Sequence, residues 1–358
     1  MVFLIDKLKK LFILHTPFQL LVSQSILKDS DTSNYLLIIK RNEISQLKET
    51  IDLILIQDLW KEIYFIDNIE NGIINIKYLF DNSRLSILQE FYRDILKIDK
   101  TCAADLIFLG DPGHNVYQNI QFLLKRKSIC FIEEGNSSYL MNNFKYNSIR
   151  KNLKILYFSM NQLSFSFFFN LFILARPKYY YSLDVRGGIK FDLQLDKSEK
   201  LKYYLESFSF SGSSCIYISS SMTNSIVDYE LILRNIFTKL FYQYDKKILI
   251  KFHPVESDDS KSILISVLDF LKLDYAILSE CYSLPVEFLI EKIMPDEIIA
   301  IDSSTVMLYS PKLFNSIPAK LIFEDFHREL QNKDRINDFQ RIWYDETITI
   351  LRNIKCLS

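Results

Sequence analysis

Glycine is scarce in this chain, with seven among 358 residues, and none of them is spaced as Gly-x-Gly-x-x-Gly or Gly-x-x-x-x-Gly-Lys-Ser/Thr. Such loops let a backbone close on a pyrophosphate or triphosphate, so their absence argues against a dinucleotide enzyme and against a P-loop ATPase. No Gly-x-Ser-x-Gly elbow occurs either, which removes the α/β-hydrolase arrangement. The five cysteines (Cys102, Cys130, Cys215, Cys281, Cys356) lie far apart without a Cys-x-x-Cys pair. They read as reduced thiols of a cytoplasmic protein. Charge of one sign is missing as well. Lys and Arg number 43 against 44 Asp and Glu, for a net charge of −1, and the basic excess of a nucleic-acid partner is not there. The opening Met1-Val2-Phe3-Leu4-Ile5 is followed by Lys7, Lys9 and Lys10 and then an apolar run, an order wrong for a signal peptide.

What is present is a globular composition, 49% hydrophobic and 24% charged, in a chain long enough for two domains. Short apolar runs alternate with helix-like segments. Strands are expected over Leu11–His15, Tyr35–Ile39, Glu62–Ile66, Asp105–Leu109 and Ser128–Ile132. Helices are expected over Pro17–Lys28, Ile44–Ile56, Ser83–Ile98 and Asn115–Lys125. After a bridging region a second alternation begins. Its strands are Cys215–Ile218, Lys247–Lys251, Tyr275–Leu278, Ile298–Ile301 and Lys320–Phe323. Its helices are Ser225–Tyr242, Lys261–Leu271, Pro285–Ile293, Thr305–Leu313 and Asp334–Arg352. Strand–helix alternation builds a mostly parallel sheet covered on both faces. The expected fold is therefore α/β, with two Rossmann-type domains whose parallel sheets face each other across a cleft. The expected boundaries are 1–145 for an acceptor domain, 146–210 for a bridge, 211–330 for a nucleotide-donor domain and 331–358 for a terminal helix. Within the bridge, 155–175 carries no charge but is broken by Asn161, Gln162, Ser164, Ser166 and Asn170. We read it as a buried or interfacial helix, with peripheral contact at the inner face of the cell membrane and a true span as the alternatives.

Open α/β sheets bind ligands at the carboxyl ends of their strands, so the residues that follow each strand are the candidates. Glu133-Glu134-Gly135 follows Ser128–Ile132. Two adjacent carboxylates raise the proton affinity of one of them, as a general base requires, and Gly135 permits a tight turn and a close ligand approach. The same residues also fit a solvated turn. His253-Pro254 follows Lys247–Lys251, with Lys251 adding positive charge. The proline stops the strand and would hold the histidine at the sheet's edge. Ser303-Ser304-Thr305 joins a strand to a helix, and Ser219-Ser220-Ser221 follows another strand. Such hydroxyls either cap helices or present donors to a phosphate. His15, Thr16 and Gln19 end the first strand, and His114 lies in the turn after the fourth; all four are candidates to contact an acceptor. Asp29-Ser30-Asp31 is an Asp-x-Asp placed before a strand rather than after one, which is poor placement for a metal site.

The ordered set Glu133-Glu134-Gly135, His253-Pro254 and Ser303-Ser304 resembles the bacterial sialyltransferases. The opening His15-Thr16-Pro17-Phe18-Gln19-Leu20-Leu21 looks like the first strand and helix of glycosyltransferase family 52, the lipooligosaccharide sialyltransferases. Capsular sialyltransferases and polysialyltransferases have similar motifs. The resemblance implies a GT-B-like fold, a CMP-sialic acid donor, no metal cofactor, and inversion at the anomeric carbon. It implies a nucleotide sugar and a surface-glycan acceptor (capsule or lipooligosaccharide) as partners, and a cytoplasmic site of action. Carried over, Glu134 or Glu133 takes the acceptor proton, His253 serves the departing phosphate, and Ser303 and Ser304 hold it. Lys251, Pro254, Thr305, Ser220 and Ser221 complete the donor side; Gly135 joins His15, Thr16, Gln19 and His114 on the acceptor side. One departure stands out. In the lipooligosaccharide enzymes an essential Asp lies in the loop after the first strand of the second domain, whereas here Ser219–Asn224 holds no carboxylate and the next is Asp228. The rival readings are a transferase for another nucleotide sugar (hexose or Kdo) and a non-catalytic glycan- or nucleotide-binding protein of the same fold.

Overall fold

The computed structural model describes residues 8–28, 33–40, 47–67, 82–110, 117, 120, 124, 128–133, 178–181, 189–208, 214–220, 228–242, 245–278, 284–301, 305–314, 316–322, 325 and 328–329. The chain divides into two units. The first comprises Met1–Asn42 and Ile54–Asp196, the second Glu43–Leu53 and Lys197–Ser358.

The first unit holds a parallel sheet of seven strands: β1 (Lys10–Leu14), β2 (Asn34–Lys40), β3 (Glu62–Asp67), β4 (Leu106–Leu109), β5 (Ser128–Ile132), β6 (Lys178–Tyr181) and β7 (Ile189–Lys190). Their order is β3-β2-β1-β4-β5-β6-β7, so the chain winds outward from β1 in one direction and then in the other. This is the doubly wound Rossmann order. A central parallel strand is covered on both faces and reads as a near-continuous apolar run; every residue of β1 is buried, and Leu11–Leu14 are all apolar. One face carries Leu11, Ile13, Leu37 and Ile107 against Phe91, Tyr92 and Ile95 of helix Asn82–Cys102. On β1's other side-chain row, Phe12 stacks on Phe108 at 4.3 Å and meets the edge of Trp60 at 5.5 Å. Each such side chain contributes about 1.5–3 kcal/mol on burial.

The second unit repeats the plan with β8 (Ser214–Ile218), β9 (Lys247–Lys251), β10 (Tyr275–Ile277), β11 (Glu297–Ala300) and β12 (Ala319–Leu321), in the order β10-β9-β8-β11-β12 and parallel throughout. Cys215, Tyr217, Ile248 and Ile250 pack with Ile232, Leu233, Ile236 and Phe237 of helix Tyr229–Leu240 and with Leu264, Val267 and Leu268 of helix Asp258–Phe270. The α/β class and the two Rossmann-type sheets expected of a GT-B-like chain are both present.

All ten expected strands exist, and β5 and β9 coincide residue for residue with their expected ranges. Three elements arise inside the stretch read as a bridge. Strands β6 and β7 extend the first sheet, and helix Glu199–Glu206 follows, capped by Ser198 Oγ on Leu201 N at 3.1 Å. Helix Asn82–Cys102 runs past the expected Ile98 and ends at Ala103, whose φ of 48° supplies the left-handed stop. Helix Asp258–Phe270 starts three residues early because Ser257 Oγ accepts from Ser260 N at 3.2 Å. Residues 155–175 and 331–358 lie outside the described residues. Among the described residues, no helix is long and apolar enough to cross a membrane.

Candidate functional site

In a doubly wound sheet the crevice forms where the winding reverses, at the carboxyl ends of the strands flanking that point. In the second unit these are β8 and β11, with β9 alongside. Backbone hydrogen bonds continue past the strand ends, Ser219 N to Lys251 O at 3.1 Å and Ile301 N to Ile218 O at 3.3 Å, so the three ends are level. Ser219 and Ser220 are buried beside the turn that carries His253. Helix Thr305–Leu313 starts just beyond β11.

His253 is exposed while its backbone is pinned. Its N–H donates to Glu256 Oε2 at 3.2 Å and, more weakly, to Ser219 Oγ at 3.4 Å; its carbonyl accepts from Glu256 N at 3.0 Å. Ser219 Oγ in turn donates to Glu256 Oε2. Glu256 is 4% exposed, a carboxylate enclosed in the turn that follows the strand. The ring is oriented too, because Val255 N donates to His253 Nδ1 at 3.3 Å. A nitrogen that accepts an amide proton carries none of its own, so in this geometry the imidazole proton sits on Nε2.

Lys251 lies differently from the expected donor-side cation. It is 4% exposed, and its ammonium donates to Phe252 O at 3.2 Å beneath the turn. Nearby, Glu287 of helix Val286–Ile293 is 2% exposed. Burial pushes its carboxyl up to about 7, against its own backbone hydrogen bond and the opposing charge of Lys251. Its Oε1 has no hydrogen-bond partner among the described residues.

In the first unit the winding reverses between β1 and β4, and β5 lies next to β4. Gln19 Oε1 accepts from His15 N at 2.8 Å, Thr16 N at 3.3 Å and Tyr117 OH at 2.8 Å. His15 Nδ1 also pairs with Tyr117 OH, the two rings lying 4.8 Å apart. Thr16 and Gln19 form a reciprocal capping box on helix Pro17–Leu27, with Pro17 in its first turn. His15, Gln19 and Tyr117 are all buried, so these polar groups serve one another at the end of β1. Gly110, after β4, closes the cluster from the other side: a Cβ there would lie 2.1 Å from Gln19 Nε2. Glu133, just after β5, is 1% exposed.

The structure thus joins His15, Thr16 and Gln19 in one cluster and places His253, Pro254, Lys251 and Ser220 around another, with Glu133 buried at its own strand end. Glu134, Gly135, His114, Ser221, Ser303 and Ser304 lie outside the described residues, as do Asp29 and Asp31; of Thr305 the structure describes the helical backbone. Asp228 stands exposed before helix Tyr229–Leu240 with φ of 61°. At these strand ends, the buried residues Glu256, Glu287 and Tyr117 were not singled out from the sequence. Only Glu256 had a local signal, an acidic residue three positions after a turn-forming histidine, the spacing at which a side chain reaches back to a backbone N–H.

A family profile described as alpha-2,8-polysialyltransferase (POLYST) matches residues 10–322. Comparison with curated proteins returns no match. Similar solved structures include the spinosyn rhamnosyltransferase SpnG, at 10% identity over 91% of this chain and 84% of that one, with a TM-score of 0.47. The UDP-GlcNAc 2-epimerase of Neisseria meningitidis bound to UDP-GlcNAc is 10% identical over 88% and 82%, also at 0.47. The S. aureus MnaA–UDP structure is 11% identical over 95% and 91%, at 0.48.

Proposed function

The chain belongs to the alpha-2,8-polysialyltransferase family and is a sialyltransferase-type glycosyltransferase, and from that premise we propose that it moves sialic acid from CMP-sialic acid, with inversion, onto the terminal sugar of a surface glycan. The family's description makes a terminal sialic acid the first acceptor to try. The observation that carries the proposal is the family match across residues 10–322, which spans both sheets and every strand end named above.

The chemistry is one displacement. The acceptor oxygen attacks the anomeric carbon as the bond to the CMP phosphate breaks, through an oxocarbenium-like transition state. A base must take the acceptor proton, and a donor must meet the charge growing on the leaving phosphate. Glu133 is enclosed, so we assign the base to Glu134. His253, exposed at the end of β9 with the proton on Nε2, is assigned to the leaving phosphate. Ser221, Ser303, Ser304 and Thr305 are assigned to hold that phosphate beside it; burial limits Lys251 and Ser220 to supporting the turn from below.

The test is a screen of CMP-, UDP- and GDP-linked sugars for acceptor-dependent nucleotide release, with and without EDTA. CMP release from CMP-sialic acid alone, surviving EDTA, is expected. Release from a UDP- or GDP-sugar instead would replace the donor assignment, and release from none would support a binding protein.

A further inference from the structure

We propose that Glu256 is a positioning residue that, together with Ser219, locks the His253 turn to the end of β8 and so aims the imidazole for transfer. The proposal rests on the reading that His253 serves the leaving phosphate. A carboxylate in a turn after a strand normally points to water, where it is fully solvated. Glu256 is instead 4% exposed, and burying a charge is costly unless hydrogen bonds replace that water. Here they do. One oxygen, Oε2, accepts from both His253 N and Ser219 Oγ, and the Glu256 amide returns a bond to His253 O.

The consequence is geometric. Ser219 is the first residue past β8, and its own N–H continues the ladder to Lys251 O. Glu256 therefore ties the first residue past β8 to the second residue past β9, and both polar backbone atoms of His253 are held by Glu256. With the backbone held, the Val255 N–H sits where Nδ1 accepts it, which leaves the Nε2 proton pointing away from the turn. Glu256 needs no contact with the donor to act in this way.

A turn that merely stabilises the fold would have the same hydrogen bonds, so the test must read the ring itself. The chain has four histidines, and ¹⁵N labelling of their imidazoles gives a simple spectrum in which His253→Ala identifies the signal. In the wild type the His253 ring is expected as a fixed Nε2–H tautomer. In Glu256→Ala the tautomers should interconvert and the signals average. Transfer should fall about 10- to 100-fold, the range expected when a reacting group is misplaced. In a His253→Ala background, Glu256→Ala should cost no further rate, because the two act as one unit.

An unchanged ring spectrum in Glu256→Ala overturns the proposal, and so does a rate loss of the same size in both backgrounds. Should Glu256→Ala not fold, Glu256→Gln decides: its neutral amide oxygen accepts the same two donors about half as strongly as a carboxylate does, so loss of the fixed tautomer supports the proposal, and a fixed tautomer with wild-type rate overturns it. A wild type that turns over no CMP-sialic acid would sink the functional reading alone, because the ring spectrum needs no donor.

Discussion

Three residues carry the sharpest predictions. His253 lies two residues past the end of β9, is exposed, and is held by its backbone, so a phosphate bound beside it would meet it before and during departure. An interaction made in both ground and transition states raises donor KM when removed, and added stabilisation of the leaving group lowers kcat as well. His253→Ala should therefore weaken CMP affinity by calorimetry and slow turnover together; unchanged values for both would place His253 outside the donor site. Glu134→Gln should behave differently, since a base acts on the acceptor. We expect transfer to fall by about 10²–10⁴-fold with CMP affinity close to wild type. A variant that keeps more than about a tenth of the rate would return the role to another carboxylate. Glu287 concerns stability. Its folded carboxyl is raised to about 7 from an ordinary 4.5. The folded state thus keeps a proton that the unfolded chain releases, and stability present below pH 4.5 is lost as pH rises to about 7, in total about 3 kcal/mol. Glu287→Gln cannot ionise. Thermal unfolding should find it more stable than wild type at pH 8 and close to wild type at pH 5; parallel curves at the two pH values would contradict the buried-acid account.

The elements show which parts of the fold were readable and which were not. β5 and β9 were legible to the residue because each is a continuous apolar run between polar neighbours, which is how a strand covered on both faces must read. β6 contains Tyr179-Tyr180-Tyr181, aromatic but not aliphatic, and β7 is two residues long. Both exist by pairing onto β5 and then onto each other, and pairing is a tertiary fact with no local period. The site divided along the same line. His253-Pro254 was legible because proline and histidine at a strand end are a local signal. Glu256 read as one more acidic turn residue, and Tyr117 reaches Gln19 across 98 positions, beyond any local pattern. That contact yields a test of the first unit's switch point. Gly110 leaves no room for a Cβ, which would lie 2.1 Å from Gln19 Nε2 and 2.4 Å from Tyr117 Cε2. Gln19 cannot swing aside without breaking its bonds to His15 N, Thr16 N and Tyr117 OH. Gly110→Ala should cost about 1–3 kcal/mol by overpacking, read as a lower denaturant midpoint; a midpoint within error of wild type would mean that the cluster yields.

At the scale of the whole molecule, chain order and unit membership differ. Residues Glu43–Leu53 leave the first unit and belong to the second, and the chain returns to the first at Ile54. The first unit holds the return point, where Gln24 Nε2 donates to Ile54 O at 3.1 Å and Gln24 Oε1 accepts from Ile56 N at 2.8 Å. The second unit holds the excursion, where Ser198 Oγ donates to Leu53 O. An amphipathic segment between β2 and β3 reads naturally as the crossover helix of its own sheet, and nothing local says otherwise. Its residues Leu47, Thr50 and Ile51 are buried, and the segment Glu43–Leu53 belongs to the second unit. The second unit is accordingly not one continuous piece of chain, although all five strands of its sheet lie within 214–321. Residues 197–358 produced alone should be less stable than in the whole chain, by about 1.5–3 kcal/mol for each apolar side chain of 43–53 that packs on them. A peptide spanning 43–53, added in trans, should bind that fragment and raise its unfolding temperature, while the same peptide with Leu47 and Ile51 changed to Asp should not. If the fragment unfolds at the same temperature with and without the peptide, the helix belongs with the first unit after all, and the two Rossmann sheets are separable by a single cut between 196 and 197.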